Sequence, residues 1–133
     1  MIKIRGKKVS GGIVEGAALI TRDPITFLGG VDPESGVVVE RGHELEGKSL
    51  KGKIVIFPRG KGSTVGSYVL YQMKKKGTAP KGIVNLEAEE IVAVGAIISD
   101  IPMIHSLEKS PYGVIDSGTR IRLNADSGYI EVL

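Results

Sequence analysis

The stretch KIVIFPRGKGSTVGSYVLYQMKKK, residues 53–76, decides the fold of this chain. Its apolar run Ile54–Phe57 predicts a buried strand, and a glycine-spaced turn follows it. Ser63 and Thr64 come next. Serine and threonine are favoured at a helix N-cap because the side-chain oxygen accepts a backbone N–H that the helix leaves unpaired. The sequence therefore predicts a strand, a turn and a helix that begins at this hydroxyl pair and stops at Gly77.

The predicted helix has one apolar face and a basic end. Helical spacing places on the buried face Val65, Tyr68, Val69 and Met73. The last turn carries cations, which a helix C-terminus favours: Lys74, Lys75 and Lys76. Backbone N–H groups and the positive end of the helix lie beside Ser63, so the turn is suited to receive an anion. Spacing alone leaves two roles open for Ser63. One is a structural N-cap, which is commoner, and the other is a base or nucleophile supported by nearby positive charge.

Length and composition set the outer bounds. The chain has 133 residues, which suits one compact domain spanning residues 1–133. It has 41% hydrophobic and 25% charged residues, as an ordinary globular protein does. No apolar run approaches the roughly 20 residues that cross a bilayer, and the basic N-terminus lacks a signal-peptide core, so we expect a cytoplasmic protein. Without cysteine, the chain has no disulfide, no thiolate nucleophile and no ordinary ligand for an iron–sulfur cluster.

The net charge of +3 is mild and suits an anionic small molecule or an acidic partner. Surfaces that bind nucleic acids usually interleave basic and aromatic residues. Here the basic run is confined to residues 74–76, and the chain has no tryptophan and only two phenylalanines. The run is therefore interpreted as a solvated helix end, and we expect no nucleic-acid partner and no membrane partner.

The rest of the chain predicts β structure at both ends of a βαβαβ middle. The other predicted strands are residues 2–9, 13–21, 37–40, 82–86, 102–104, 112–116, 119–124 and 129–133. A second helix is predicted over residues 88–99, with its inward side formed by Ile91, Val94, Ala96, Ile97 and Ile98. The long loop at residues 23–36 is of a kind that is often functional. The predicted class is α/β, a layered β/β/α domain in which the terminal strands pack beside a small central sheet.

Several other motifs and residues are weaker signals of function. The run at residues 60–64 resembles a P-loop, but a glycine separates Lys61 from Ser63, and Val55 stands where the first glycine of that motif should be. Neither histidine lies in a cluster spaced for metal ligands, so we predict surface or hydrogen-bonded roles for His43 and His105. The acids at positions 87, 89 and 90 suit a helix start. Asp32 fits two roles equally, starting a turn or contacting a polar substrate.

Two runs together carry a family resemblance. They are GGVDPESG, residues 29–36, and GHELEGKSLKGKIVIFPRGKGSTVGSYVL, residues 42–70. They resemble the small subunit, or swivel domain, of the aconitase X family, over nearly the whole chain. The resemblance implies a swivelling β/β/α domain similar to the mobile C-terminal domain of aconitase. It also implies a hydro-lyase that dehydrates hydroxy acids and is active only as a heterodimer with a separate large subunit. That large subunit carries a [4Fe-4S] cluster, and this chain carries neither cofactor nor metal.

The resemblance also implies site residues and a substrate. The serine of the family's G-S-T turn, which removes the proton from the carbon next to the carboxylate, matches Ser63. The resemblance to archaeal members implies dehydration of (R)-5-phosphomevalonate to trans-anhydromevalonate 5-phosphate in an archaeal mevalonate route to isoprenoids. Other members dehydrate cis-3-hydroxy-L-proline, and the basic turn of Arg59 and Lys61 favours the phosphorylated substrate over it. Position alone makes candidate substrate contacts of Arg59, Gly60, Lys61, Gly62, Thr64, Ser67, Gly30 and Asp32.

Two further alternatives belong to other classes. Phosphohistidine carrier domains share a β/β/α layout, but they need a histidine at the active turn, and this chain has Ser63 and Thr64 there. A non-catalytic swivel or scaffolding subunit is the remaining alternative.

Overall fold

A computed structural model describes residues 2–133, so residue 1 of the predicted domain lies outside the described residues. The strands are β1 (Lys3–Arg5), β2 (Lys7–Ser10), β3 (Ile13–Ile20), β4 (Ile25–Thr26), β5 (Ile54–Phe57), β6 (Gly60–Lys61), β7 (Gly82–Asn85), β8 (Met103–His105), β9 (Arg120–Asn124) and β10 (Tyr129–Val132). The helices are the short, irregular α1 (Phe27–Gly30), α2 (Gly66–Lys76) and α3 (Glu90–Ser99).

The main sheet of the described chain has eight strands in the order β1-β10-β9-β3-β5-β7-β8-β2. β3, β5, β7 and β8 run parallel to one another, and the other neighbours are antiparallel. The first and last strands of this order, β1 and β2, are separated in the chain only by Gly6. The sheet must therefore fold back on itself, which makes two layers that share β3.

Alternate residues of the central strand β5 supply two separate cores, because successive side chains of a strand point to opposite faces. Ile54 and Ile56 pack in the core between the two β layers, beside Ile121 of β9. Val55 and Phe57 pack in the other core, against helical residues such as Leu70. The parallel strands are thus covered on both faces, as such strands usually are. The predicted α/β class with β/β/α layering is confirmed.

α2 and α3 lie side by side over the sheet, and a small residue lets them approach. A Cβ atom added at Gly95 would lie 2.6 Å from Cδ1 of Leu70. The Ser67 hydroxyl donates a hydrogen bond of 2.6 Å to the carbonyl of Ile91, which joins the two helices at their N-terminal ends. Gly95, an unfavourable residue in a helix interior, is therefore present for close packing.

Some predicted elements are wrong in detail. The predicted strand at residues 2–9 is split at Gly6, because its halves pair with different edges of the sheet. Residues 37–40 form only isolated bridges, Val31 with Val38 and Val37 with Ser49. Residues 112–116 form a turn, in which the carbonyl of Pro111 accepts from the N–H of Ile115 at 3.0 Å. The small parallel pair β4–β6 lies inside segments that the sequence predicted as loop and turn.

The predicted helix faces also need correction. α2 begins at Gly66, after Val65 at the N-cap, so Ser63 and Thr64 are not its caps. Val65 is 48% exposed and Tyr68 is 63% exposed, so the buried face is formed instead by Gly66, Ser67, Val69, Leu70 and Met73. In α3 the buried residues are Val92, Gly95, Ala96 and Ser99, and of the predicted set Val94, Ile97 and Ile98 are exposed. Because α3 is apolar nearly all round, periodicity could not select its inner face.

None of the helices in residues 2–133 is both long enough and apolar enough to span a bilayer.

Candidate active site

The turn that follows β5 is held in place by a second segment of the chain. β6 pairs in parallel with β4, with Ile25 opposite Gly60 and Thr26 opposite Lys61. Gly62 follows in a left-handed conformation (φ +89°), and a Cβ atom there would lie 2.9 Å from Cγ2 of Thr26. Both the backbone conformation and the close approach require glycine at this position. The predicted functional loop at residues 23–36 therefore borders the turn of Ser63.

Ser63 is exposed on the rim of this turn. Its Oγ accepts a hydrogen bond of 3.1 Å from the backbone N–H of Val65. The bond closes a local turn just before α2 and does not cap the helix itself. An N–H donor aimed at Oγ stabilises negative charge on that oxygen, and the positive N-terminal end of α2 lies within one turn of it.

The two predicted cations, Arg59 and Lys61, precede Ser63 in the turn, and each one is paired with a carboxylate. Nε of Arg59 lies 3.5 Å from Oε2 of Glu87, and its NH1 donates to the carbonyl of Gly60 at 3.3 Å. Nζ of Lys61 lies 3.6 Å from Oε2 of Glu40. All four side chains are at least partly exposed, and such ion pairs contribute only about 0–1 kcal/mol. An incoming anion could therefore replace either carboxylate at little cost.

Gly60 brings the turn against the start of α3. A Cβ atom there would lie 2.5 Å from Cγ2 of Val92 and 2.6 Å from Oε1 of Glu89. The Glu89 carboxylate caps α3, because it accepts the N–H of Ile91 and, at 3.1 Å, that of Val92. The prediction of acids at the start of the second helix is confirmed for Glu89 and Glu90. The turn of Ser63 thus lies between the N-terminal ends of α2 and α3.

Three other predicted contacts border this turn in different ways. Thr64 is exposed beside Ser63, whereas Ser67 is buried and its hydroxyl is used in the bond to α3. Gly30 is buried, and a Cβ atom there would lie 3.3 Å from Oε1 of Glu40, the partner of Lys61. A role in substrate binding stays a prediction for all three.

The Asp32 carboxylate makes hydrogen bonds within its own loop. One carboxylate oxygen accepts from the N–H of Glu34 and the other from the Ser35 hydroxyl, at 3.0 and 2.9 Å. The same loop is fastened to the C-terminal end of α2, where Lys76 pairs with Glu34 and Thr78 donates to the carbonyl of Pro33. The bonds within the loop confirm the turn-forming role of Asp32, and its contact with a polar substrate stays a prediction.

One residue near the turn, Asn85, was not among the site residues that the sequence predicted. Asn85, at the carboxyl end of β7, is fully buried. Its Nδ2 donates to the carbonyl of Phe57 at 3.2 Å, and its Oδ1 has no hydrogen-bond partner within residues 2–133. The bond ties the end of β7 to the strand that leads into the turn. An amide inside the otherwise apolar run GIVNL was the signal that could have identified it.

The histidines have the hydrogen-bonded roles that were predicted. Nε2 of His43 lies 2.9 Å from the carbonyl of Pro24, and its Nδ1 accepts from the N–H of Leu45. Nδ1 of His105 lies 2.8 Å from the Ser106 hydroxyl. Within residues 2–133, no group of three or more His, Cys, Asp and Glu side chains is placed to hold a metal ion. The donor set of this chain therefore does not fit an iron–sulfur cluster.

Two ionisable side chains away from the turn have displaced pKa values. Burial raises the pKa of the Tyr112 hydroxyl above its ordinary value, although the nearby Arg22 guanidinium opposes the shift. This hydroxyl donates to the carbonyl of Thr21 at 2.8 Å. Hydrogen bonds to Glu15 of β3 and Glu131 of β10 raise the pKa of Arg122 in β9. Both shifts accompany structural contacts.

A groove of about 530 Å³ lies between α2 and α3 and reaches the turn of Ser63 through Thr64. We call it the α2–α3 groove. Its apolar lining consists of Val65, Tyr68, Ile91, Val94 and Ile98. Glu89 and Glu90 lie at its border.

The fold and the turn define the chain as a swivel-type β/β/α domain with a serine presented beside two helix N-termini. The sequence profile described as the aconitase X swivel domain matches residues 3–132, and the chain belongs to this family. The family resemblance that the sequence suggested is thereby confirmed.

Relatives from two archaea are similar to this chain over nearly their whole length. The phosphomevalonate dehydratase small subunit of Methanosarcina acetivorans is 59% identical over 132 residues, which cover 99% of this chain and 92% of that protein. The subunit of the same name in Thermococcus kodakarensis is 52% identical over 132 residues, covering 99% and 97%. The crystal structure of Thermococcus kodakaraensis aconitase X in its holo-form superposes with a TM-score of 0.94 at 50% identity. It covers 100% of this chain and 99% of the matched chain.

Proposed function

We propose that this chain is the small subunit of a phosphomevalonate dehydratase, a hydro-lyase, and that Ser63 is its base. The reaction removes water from (R)-5-phosphomevalonate and yields trans-anhydromevalonate 5-phosphate. The observation that carries the proposal is the near-full-length similarity to subunits of that name, at 59% and 52% identity. The exposed Ser63 on a turn between two helix N-termini supplies the chemistry.

The proposed step at Ser63 is removal of a proton from the carbon next to the substrate carboxylate. The electron pair of that C–H bond becomes the new double bond, the proton passes to Oγ, and the hydroxyl leaves the neighbouring carbon. The proton and the hydroxide together make up the water that is lost. A carbon acid of this kind needs a base close to an alkoxide. The N–H of Val65 stabilises such a charge on Oγ, and exclusion of water would strengthen the effect.

The proposed substrate carries two anionic groups, and the turn offers two cations. Arg59 and Lys61 would exchange Glu87 and Glu40 for the substrate carboxylate and phosphate, because exposed ion pairs of this kind are weak. Close backbone approach would come from Gly60 and Gly62. Thr64, next to Ser63 and exposed, is proposed as a hydroxyl donor to the substrate.

The proposal includes a partner. This chain has no cysteine, so the ligands of a [4Fe-4S] cluster would come from a large subunit in a heterodimer. When bound there, the cluster would supply Lewis-acid chemistry. The small subunit, as one swivel domain over residues 1–133 in the cytoplasm, would supply the base and bring it to the partner's site.

The test uses the heterodimer produced and purified without oxygen. Ser63→Ala should lower kcat for (R)-5-phosphomevalonate by about 10²-fold or more, the scale at which a general base contributes, and should leave complex formation unchanged. Ser110→Ala is the matched control, because Oγ of Ser110 accepts the N–H two residues ahead at 3.2 Å in an exposed turn, as Oγ of Ser63 does. Near-normal turnover by the Ser63 variant would refute its role as the base.

The substrate has its own test on the same preparation. A complex that is inactive on (R)-5-phosphomevalonate and active on cis-3-hydroxy-L-proline would overturn the substrate assignment and leave the reaction class unchanged. A complex that is inactive on both, with its cluster intact, would favour the non-catalytic swivel subunit.

A further inference from the structure

The outward side of α3 is apolar where a helix facing water would be polar. Val94, Ile97 and Ile98 are exposed, and residues 91–99 contain no charged side chain. Surface helices of globular proteins normally place charged and polar residues on the side away from the core. Contiguous exposed apolar patches bordered by polar residues mark interaction sites.

We propose that the α2–α3 groove is the surface on which the large subunit docks, and that the large subunit inserts apolar side chains between Tyr68, Val94 and Ile98. This inference rests on the proposed function for the identity of the partner. It adds which face of the small subunit the partner covers, and that the contact is apolar.

The position of the groove relative to Ser63 favours this occupant. Thr64 and Val65 belong both to the turn of Ser63 and to the wall of the groove. In the proposed reaction, the partner must reach Ser63 to complete the site and exclude water. A protein surface that covers Ser63 would therefore continue directly onto Val65 and the groove beyond it.

The lining argues against the substrate as occupant of the groove. A phosphorylated hydroxy acid would face the carboxylates of Glu89 and Glu90, and aliphatic side chains such as Val94 offer its charged groups no hydrogen-bond partner. Its anionic groups have better partners at Arg59 and Lys61, which do not line the groove.

The border of the groove also indicates the charge of the partner. Glu90 is exposed at the groove border, and the Glu89 carboxylate is already used to cap α3. We therefore expect the partner to place a cation opposite Glu90 at the rim and apolar side chains in the centre, which is the usual arrangement of an interface.

The experiment measures binding without relying on catalysis. Variants of the full small chain are titrated onto the anaerobically purified, cluster-loaded large subunit, and Kd is measured by calorimetry. Val94→Asp and Ile98→Asp should each raise Kd by about 30-fold or more, the scale of an interface hot spot, because each buries a charge in an apolar contact. Val114→Asp is the matched control, since Val114 is 46% exposed and Val94 is 47% exposed. The control should leave Kd within about threefold, as substitutions outside the contact do.

The outcomes separate docking from the proposed reaction. Unchanged Kd for both groove variants, with circular dichroism showing that they are folded, would overturn the docking surface even if the complex is active. Normal Kd with a raised KM would also overturn it and identify the groove as a substrate subsite. Self-association of the wild-type chain that is lost in the variants, with unchanged Kd for the large subunit, would overturn it in favour of a second copy. Loss of binding in the groove variants would support it even if the wild-type complex has no activity on (R)-5-phosphomevalonate.

Discussion

The two helices that cover the sheet have similar lengths, 11 residues in α2 and 10 in α3, but their outer faces differ in polarity. The exposed side of α2 carries lysines toward its C-terminal end, where Nζ of Lys75 lies 5.4 Å from the ring centroid of Tyr71. Val65 and Tyr68, at the start of α2, line the α2–α3 groove. The outer face of α3 consists of Val94, Ile97 and Ile98. Both helices bury a narrow face against the same core, so the difference reflects what lies outside each helix.

The helix ends differ as well. α3 begins at Glu89, whose carboxylate accepts two backbone N–H groups, whereas Val65 at the start of α2 has no side-chain oxygen with which to cap the helix. α2 stops at Gly77 with φ +77°, a conformation that glycine adopts freely. α3 stops at Asp100 with φ +55°, which costs a residue with a side chain some free energy. The first N–H groups of α2 donate instead to backbone carbonyls, those of Ser63, Thr64 and Val65. The positive end of the α2 dipole still lies beside Ser63, which suits an anion site.

The largest expected effect is a loss of stability on the inner side of the helix pair, compared with almost none on the outer side of α3. Leu70→Ala should lower the free energy of unfolding by about 2–5 kcal/mol, because it leaves a cavity where Leu70 packs against Gly95. Ile97→Ala should change it by less than about 0.5 kcal/mol in the isolated chain, because Ile97 is 57% exposed. Urea unfolding checks both values. Equal losses of unfolding free energy for the two variants would show that the outer face of α3 is packed against other residues in the isolated chain.

An intermediate effect on stability is expected when the start of α3 is compared with the start of α2. Glu89→Ala should cost about 1 kcal/mol, because the first N–H groups of α3 lose their acceptor. Ser63→Ala should cost less than about 0.5 kcal/mol, because Ser63 is exposed and water can replace the bond to the N–H of Val65. Thermal unfolding of the isolated variants measures both. A large loss for the Ser63 variant would mean that Ser63 is needed for folding, and its loss of activity would then lose its simple interpretation.

The smallest effect concerns the two helix ends. Asp100→Gly should stabilise the chain by about 0.5–1 kcal/mol, because it relieves the left-handed conformation at the end of α3 and removes a negative charge from a helix C-terminus. Gly77→Ala, the converse change at the end of α2, should destabilise it by a similar amount. The melting temperature should rise for the first variant and fall for the second. A fall for Asp100→Gly would contradict the assigned strain.

Local sequence was sufficient for the central strand, the existence of both helices and the layered class. Ile54–Phe57 is confirmed to the residue, because a short apolar run before glycines has few other solutions. The GKGST turn and the VDPESG loop together were enough for the family, which the profile match over residues 3–132 bears out. The stop of α2 at Gly77 followed from glycine's freedom at positive φ.

Tertiary structure decided what periodicity and spacing could not. The inner face of α3 was set by the close approach of Gly95 to Leu70, since a helix that is apolar nearly all round has no face that hydrophobic pattern can single out. The pairing of β4 with β6, and the bond of Thr78 to the loop of Asp32, join segments tens of residues apart in the chain. Local propensity carries no information about such contacts, because the free energy that selects them comes from burying both segments together.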